Sequence, residues 1–265
     1  MNTATFFIST GRCGTQWIAR TLTELFPGAL RVEHEPLHNR YQPRTLLAAD
    51  ATLESPDVQS HLRQIEQTLE TCSYVEVGHP NWSAIPHLLD YFQGRVRIVH
   101  LTRHPIPTSY SWVTHGAYQP PLLPHLPEKI LLSPFDAGVQ FPEYQQNWAQ
   151  LSPFEKSLYY WSEVQALALE LQGHTSVPWL QLRFEDLFNG DGFYRLLEFL
   201  DLPAPTTAFA NTKKIIDQYH YLTTAPQDWR AITNHPHAIQ LAQALKYNLE
   251  QIDDQALKRR YLAAG

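Results

Sequence analysis

The sequence is poor in cysteine, in charge and in long apolar runs, and each shortage excludes a class of protein. Its 265 residues include 2 Cys, Cys13 and Cys72, too few for a disulfide framework or a cysteine-based metal cluster. No window reaches the roughly 18 uninterrupted apolar residues of a transmembrane helix, so we expect no membrane span. Residues 1–10 carry neither a basic leader nor a long apolar stretch, so the sequence predicts no signal peptide and a reducing, cytoplasmic location.

Charge is scarce as well, and its balance is negative. Charged residues make up 17% and the formal net charge is −6, which disfavours nucleic acid as a partner because such binding relies on neutralising phosphates. A small anionic ligand remains compatible with a locally positive pocket. Hydrophobic residues reach 43% and aromatic residues 12%, enough for one large domain over residues 1–265. Composition does not fix the oligomeric state.

Short apolar runs alternate with amphipathic segments along most of the chain. This alternation predicts an α/β fold in three layers, with helices on both faces of a parallel sheet. Residues 32–43 are predicted to form a loop. Strands are predicted over residues 5–8, 73–77, 96–101 and 177–182, and helices over 15–26, 57–70, 85–92, 105–114, 153–171, 184–188, 192–200, 237–248 and 254–262.

Residues 116–150 interrupt the alternation with many prolines and aromatic residues. A connection this long is functional or disordered in most domains, and its apolar content argues against disorder. We interpret it as a cap or lid insertion over a site, and this favours a partly hydrophobic ligand. The alternative is a surface excursion that is packed for stability alone.

A glycine-containing loop joins the first predicted strand to the first predicted helix. Gly11 and Gly14 permit a tight turn and close approach of a ligand to the backbone, and the helix that begins near Thr15 adds a partial positive charge. Arg12 brings a fixed charge with a planar set of donors. The loop therefore predicts a phosphate site, although a glycine turn that merely closes a βα unit is the alternative. It lacks the G-x-x-x-x-G-K-[ST] pattern of nucleoside triphosphatases.

A second predicted anion site follows the strand at residues 96–101. Arg103 lies just beyond that strand, and Ser111 follows eight residues later on the predicted helix. In open α/β sheets, ligands bind outside the carboxyl ends of the strands. Two such phosphate grips at one edge suit a nucleotide with two separated phosphates, whereas Arg103 alone would more often form a salt bridge.

Three segments together resemble the sulfotransferases that use 3′-phosphoadenosine 5′-phosphosulfate (PAPS). The stretch from Ser9 to Trp17 resembles their 5′-phosphosulfate loop, T-Y-P-K-S-G-T-T-W in cytosolic members, and the pair Arg103 and Ser111 matches their 3′-phosphate motif. Residues 182–187, LRFEDL, followed by LLEFL at 196–200, are similar to Y-E-D-L…LEFL. The resemblance covers the chain to about residue 203 and implies a transferase that moves a sulfuryl group from PAPS to a hydroxyl.

The resemblance also implies the donor-binding residues. PAPS and its product 3′-phosphoadenosine 5′-phosphate (PAP) would be bound, without a metal, by Gly11, Arg12, Cys13, Gly14, Thr15, Gln16, Trp17, Arg103, Ser111 and Phe184. Trp17 would stack on adenine, or else be an ordinary core residue, and we interpret Cys13 as a small loop residue and not as a nucleophile.

The sequence departs from the family in three places. Arg12 replaces the catalytic Lys of cytosolic members, as in other branches, and Phe184 replaces a Tyr at the adenine. The R-K-G loop near the C-terminus is absent, which leaves Lys213, Lys214 or Arg230 as candidates to close over the 3′-phosphate.

The acceptor hydroxyl needs a general base near the sulfur. His79 resembles the His of the family's K-T-H-L-P segment, and imidazole titrates near neutral pH. Glu35 resembles an E-P segment in which a carboxylate is the base, and His34 is the third candidate. Catalytic roles therefore fall to Arg12 and to His79 or Glu35, and the partner is a small-molecule or lipid-like hydroxyl acceptor. The alternatives are a nucleotide or small-molecule kinase with a divergent loop, and a PAPS-binding module without catalysis.

Overall fold

The computed structural model describes residues 1–38, 55–120, 125, 128–189, 191–205 and 228–262. Its strands are β1 (Ala4–Ile8), β2 (Leu30–His34), β3 (Ser73–Val77), β4 (Val96–Thr102) and β5 (Trp179–Arg183). Its α-helices are α1 (Thr15–Leu25), α2 (Pro56–Leu69), α3 (Ile85–Phe92), α4 (Pro105–Thr114), α5 (Pro153–His174), α6 (Phe184–Asn189), α7 (Gly192–Phe199), α8 (Pro236–Ala244) and α9 (Asp254–Tyr261). Short 3₁₀ helices cover Trp82–Ala84, Pro142–Gln146, Trp148–Gln150 and Trp229–Asn234.

The five strands form one all-parallel sheet in the order β2-β3-β1-β4-β5. The chain leaves β1 for β2 on one side, and after β3 it crosses to β4 on the other side of β1. Because the strands are parallel, the segments that follow β1, β2 and β3 all emerge at the same edge, where α/β sheets bind ligands.

By contacts the described residues form two compact units: those within 1–102 and 168–216, and those within 103–167 and 217–265. In the first unit, helices cover both faces of the sheet. Phe7, Val75 and Val99 point toward one core cluster, which includes residues of α1, α6 and α7, while Phe6 on the opposite face packs against Phe92 of α3. The three-layer α/β prediction is therefore confirmed. That residues 1–265 form a single domain stays a prediction.

The second unit holds α4, the first part of α5, α8, α9 and the described part of the predicted cap, residues 116–120, 125 and 128–150. Ile106, Tyr110 and Phe154 contribute to its core. The buried carboxylate of Glu163 on α5 accepts the backbone N–H groups of Gln140 and Phe141, both at 2.9 Å. These hydrogen bonds fix residues 140 and 141 to α5. That residues 116–150 act as a cap stays a prediction.

The prediction of a loop over residues 32–43 is wrong at its start, because β2 extends to His34. Leu30 is the one residue of β2 in the buried class, and Arg31 is exposed. Because charged Arg31 and Glu33 flank Val32, this strand lacks an apolar run such as those that predicted β1 and β4. Residues 39–43 of that predicted loop lie outside the described residues.

Candidate functional site

The loop after β1 adopts an unusual backbone. Gly11, Arg12 and Gly14 all have positive φ angles, of 73°, 58° and 81°. Glycine adopts this region readily, but for Arg12 it costs free energy, of order 1 kcal/mol, and such strain is concentrated at functional sites. The turn thus holds the Arg12 backbone in a conformation that non-glycine residues adopt only at a cost.

Hydrogen bonds within the loop hold that turn. Cys13 Sγ donates to the carbonyl of Gly11 at 3.0 Å, and Thr10 Oγ1 donates to the same oxygen at 3.2 Å. Ser9 Oγ accepts the N–H of Gly11 at 3.1 Å and donates to the carbonyl of Gly78 at 3.3 Å. Cys13 is fully buried, and its role as a small loop residue stays a prediction.

The loop leads directly into the N-terminus of α1. Gly14 is its N-cap and Thr15 its first residue, no side chain caps the helix, and no acidic residue lies in its first turn. Uncapped N–H groups and the helix dipole favour an anion at such an end. Gln16 is exposed there, whereas Thr15 is 6% exposed.

Aromatic side chains pack behind the loop. A Cβ built on Gly14 would lie 3.1 Å from Cε2 of Phe184, so a side chain at residue 14 would press on that ring. Trp17 is 3% exposed, with its ring centroid 4.8 Å from that of Phe188 and 5.4 Å from that of Phe193. The structure places Trp17 in the core, and stacking of adenine on Trp17 or Phe184 stays a prediction.

The two candidate bases lie side by side. Glu35 directly follows β2, His79 lies two residues beyond β3, and Glu35 Oε1 is 2.9 Å from His79 Nδ1. Gly78 permits this approach, since a Cβ at residue 78 would lie 2.6 Å from Cγ of Glu35. The sequence argument did not single out Gly78, although a glycine between a buried strand and a candidate base is a signal for such a close contact.

Glu35 is the member of this pair whose charge is defined. Burial alone would raise the pKa of the Glu35 carboxyl, but the hydrogen bond and charge of His79, with a smaller effect of His34, lower that pKa to about 2. Glu35 is therefore an ionised acceptor at neutral pH and a weak base. Since an ionised carboxylate can only accept, the Nδ1 of His79 carries the proton of this bond, and a neutral imidazole in this position has its lone pair on Nε2.

His34 connects this pair to α1. Its Nε2 lies 3.2 Å from Thr15 Oγ1 and 3.7 Å from Glu35 Oε1. Burial lowers the pKa of His34, against an opposing effect of Glu35, which favours a neutral ring. Thr15, His34, Glu35 and His79 thus lie in a row of polar side chains along the carboxyl edge of the sheet, with a hydrogen bond at each end of the row.

A buried carboxylate supports the turn that carries His79. Glu76 is 1% exposed and accepts hydrogen bonds from Asn81 Nδ2 at 3.1 Å and Tyr74 Oη at 3.1 Å, with His61 Nε2 at 3.0 Å. Because Asn81 lies two residues after His79, its bond to Glu76 fixes the backbone from which the imidazole projects. No period or motif in the sequence indicates this network.

In the second unit, the predicted anion residues are buried. Arg103 is 8% exposed and Ser111 is 3% exposed. Arg103 Nη2 donates to the hydroxyl of Tyr261 at 3.0 Å, and its carbonyl accepts the indole N–H of Trp161 at 3.0 Å. The bond to Tyr261, a residue near the end of the chain, had no signal in the sequence.

Of the three residues predicted to close over the 3′-phosphate, the structure describes Arg230. Arg230 is exposed, lies 3.3 Å from Asp228 Oδ1 and packs over the ring of Trp229. Lys213 and Lys214 lie outside the described residues.

Within the described ranges, no group of three or more His, Cys, Asp and Glu side chains is arranged to hold a metal ion. Nor does any described helix combine the length and hydrophobicity that crossing a membrane requires.

No family model and no curated protein matches this sequence. Among solved structures, the chain is similar to a sulfotransferase domain from the curacin biosynthetic pathway, with a TM-score of 0.52 and 14% identity over 94% of this chain and 99% of that one. A sulfotransferase domain from the Synechococcus PCC 7002 olefin synthase gives a TM-score of 0.47 and 15% identity over 94% and 96% of the two chains. The mouse sulfotransferase SULT7A1, complexed with PAP, gives 0.47 and 14% over 97% and 88%. At 14% identity, the similarity to the curacin-pathway domain shows the fold and not the function. The chain thus has the fold of a sulfotransferase domain.

Proposed function

We propose that this protein is a sulfotransferase that moves a sulfuryl group from PAPS to a hydroxyl of a small-molecule acceptor. The observation that carries the proposal is the Glu35–His79 hydrogen bond of 2.9 Å, at the same sheet edge as the strained loop after β1. Group transfer to a hydroxyl requires a base for the hydroxyl proton and stabilisation of the negative charge on the leaving group. A base oriented by a carboxylate, beside a helix terminus that favours anions, can supply both.

His79 is the general base in this proposal, and Glu35 orients it. A carboxyl with a pKa of about 2 is too weak a base to take a proton from a hydroxyl, because proton transfer is most efficient when the pKa of the base lies near the working pH. As the acceptor of the Nδ1–H, Glu35 instead fixes the tautomer of His79 and stabilises the imidazolium that forms. The two candidates of the sequence argument thus have complementary roles.

The transfer step follows from these roles. The acceptor oxygen forms a bond to sulfur while the bond from sulfur to the bridging oxygen of the 5′-phosphate breaks, and the acceptor proton goes to His79 Nε2. Negative charge develops on the leaving PAP. Arg12, the backbone of the loop and the N-terminus of α1 stabilise that charge, as in phosphoryl transfer, where positioning and electrostatics supply most of the catalysis.

The remaining donor contacts are proposed from the resemblance. Arg103 and Ser111 would contact the 3′-phosphate, and Trp17 and Phe184 would contact the adenine. No metal is needed in this scheme, since Arg12 supplies the charge that Mg²⁺ supplies in nucleoside triphosphatases.

Nucleotide binding and transfer can be tested separately. Thermal stabilisation by PAP, measured beside ATP with Mg²⁺, tests the donor class, and transfer of ³⁵S from labelled PAPS to a panel of phenols, alcohols and glycosides tests the reaction. We expect stabilisation by PAP and transfer to at least one acceptor class. Stabilisation by ATP with Mg²⁺ alone would sink the proposal in favour of a kinase, and PAP binding without transfer or PAPS hydrolysis would leave a binding module.

A further inference from the structure

Thr15 and His34 form a contact that the proposed chemistry has not used. Thr15 is the first residue of α1 and is 6% exposed, while His34 is the last residue of β2. The distance from Thr15 Oγ1 to His34 Nε2 is 3.2 Å. Both atoms can be donor or acceptor, so the direction of this bond decides what the threonine hydroxyl offers to a ligand.

The two directions have opposite consequences. If His34 carries its proton on Nδ1, then Nε2 accepts the Thr15 O–H, and the hydroxyl turns only lone pairs toward the N-terminus of α1. If the proton is on Nε2, the ring donates to Oγ1, and the Thr15 O–H remains to be donated elsewhere. An anion at the helix terminus is repelled by lone pairs and stabilised by an O–H donor.

Glu35 decides between the two. Its Oε1 lies 3.7 Å from the same Nε2, and an ionised carboxylate can only accept. A lone pair on Nε2 would face this charge, whereas an Nε2–H is attracted to it. Burial, which lowers the pKa of His34, favours a ring that is neutral and so has a single N–H to place.

We propose that His34 is a positioning residue that, as the Nε2–H tautomer, holds the oxygen of Thr15 as an acceptor and turns the threonine O–H toward an anion at the N-terminus of α1. The inference rests on the proposed function, in which that anion is the 5′-phosphate of PAPS or PAP. His34 itself touches neither the nucleotide nor the acceptor in this scheme. Glu35 thereby orients both His79 and His34.

The tautomer can be measured directly. Long-range ¹H–¹⁵N correlation spectra distinguish Nδ1–H from Nε2–H rings, and loss of one set of signals in His34→Gln identifies those of His34. We expect the Nε2–H form in the protein without nucleotide. An Nδ1–H form would overturn the proposal whatever the protein binds.

The effect on binding is tested with a double-mutant cycle read by calorimetric titration with PAP. His34→Leu and Thr15→Val should each weaken PAP binding about tenfold, as expected for loss of a hydrogen bond to a charged group. The double variant should bind PAP no more weakly than Thr15→Val. Each single variant already removes the same interaction, the hydrogen bond from the Thr15 hydroxyl to the anion. His34→Gln places an amide donor near the position of Nε2 and should restore most of the loss.

The controls separate this proposal from its foundation. His87→Leu removes a half-buried histidine of α3 in the same unit and should bind PAP like the parent protein. If the parent protein does not bind PAP, the proposed function fails at that point, before any variant is compared. If it binds PAP but the losses of His34→Leu and Thr15→Val multiply, or His34→Gln is as weak as His34→Leu, only the role of His34 is refuted.

Discussion

Glu35 Oε1 lies 2.9 Å from His79 Nδ1, across 44 residues of sequence. The contact exists because β2 and β3 are adjacent and parallel, with His34 opposite Val77. The residues that follow two paired parallel strands necessarily emerge together, and Gly78 leaves the space that the carboxylate occupies.

Replacing either member of this pair should slow transfer. His79→Ala removes the proposed base, and we expect the single-turnover rate to fall by about 10²- to 10⁴-fold while PAP affinity is unchanged. Glu35→Gln keeps an acceptor oxygen but loses the charge that stabilises the imidazolium, so its loss should be smaller. Rapid-quench measurement of transfer at saturating PAPS checks both, with PAP affinity as the control for His79→Ala; wild-type rates in both variants would contradict the assignment.

The space at Gly78 gives a second test of the pair. In Gly78→Ala the added Cβ would lie 2.6 Å from Cγ of Glu35, so the carboxylate must move and the transfer rate should fall about as far as in Glu35→Gln. Gly173→Ala is the matched control, because a Cβ at residue 173 meets nothing within 4 Å. It should leave the rate unchanged and the protein at least as stable, as glycine is a poor helix residue. Equal rates in both alanine variants would show that Glu35 does not need its present position.

The sequence predicts the members of the site better than their arrangement. Glu35 and His79 are both predicted as candidate bases, but as rivals, because β2 was not predicted and the adjacency of its end to that of β3 could not be inferred. Gly11, Arg12 and Gly14 are predicted from local backbone chemistry, which is short-range and therefore readable. The bond from Arg103 to Tyr261 joins residues 158 positions apart, and no local pattern encodes such a contact.

The same distinction applies to the fold. The buried strands β1 and β4 are predicted from apolar runs, and α3 and α4 are predicted with their observed bounds. Strand order is different, because β1 pairs with both β3 and β4 through connections whose side of the sheet is decided by packing. In β2 the charged residues Arg31 and Glu33 alternate with Leu30 and Val32, so it has no apolar run that would predict it.

The effects of the Arg12 charge and of the Arg12 backbone conformation can be measured separately. Arg12→Ala and Arg12→Gly both remove the guanidinium, so both should lower the transfer rate, by about 10²-fold as for other groups that stabilise developing charge. The φ of 58° at this residue suits glycine better than alanine, so the glycine variant should unfold at the higher temperature of the two. Activity assays test the effect of the charge, and calorimetric melting curves test the effect of the backbone conformation. An active Arg12→Gly variant would mean that the loop backbone alone stabilises the leaving group.

His235 should make the second unit sensitive to acid. Its Nδ1 lies 3.0 Å from the Tyr144 hydroxyl and its Nε2 3.3 Å from Glu155 Oε1, and burial lowers its pKa despite the opposing effect of Glu155. The unfolded chain therefore binds a proton more readily than the folded one, and the stability that His235 contributes is lost as the pH falls below about 6.5, the ordinary pKa of histidine. His235→Gln removes the titrating group, so its urea midpoint should vary less between pH 7 and pH 5 than that of the parent protein.

Tyr144→Phe is the matched variant for this test. It keeps the aromatic ring and the titrating imidazole but removes the hydroxyl that Nδ1 contacts, at a cost of about 1 kcal/mol in the free energy of unfolding. Its midpoints should therefore be lower at pH 7 while their dependence on pH persists, because the buried ring of His235 must still be protonated in acid. If His235→Gln and the parent protein lose stability equally between pH 7 and pH 5, the acid sensitivity lies with another group, and the contacts of His235 matter only through their packing and hydrogen bonds.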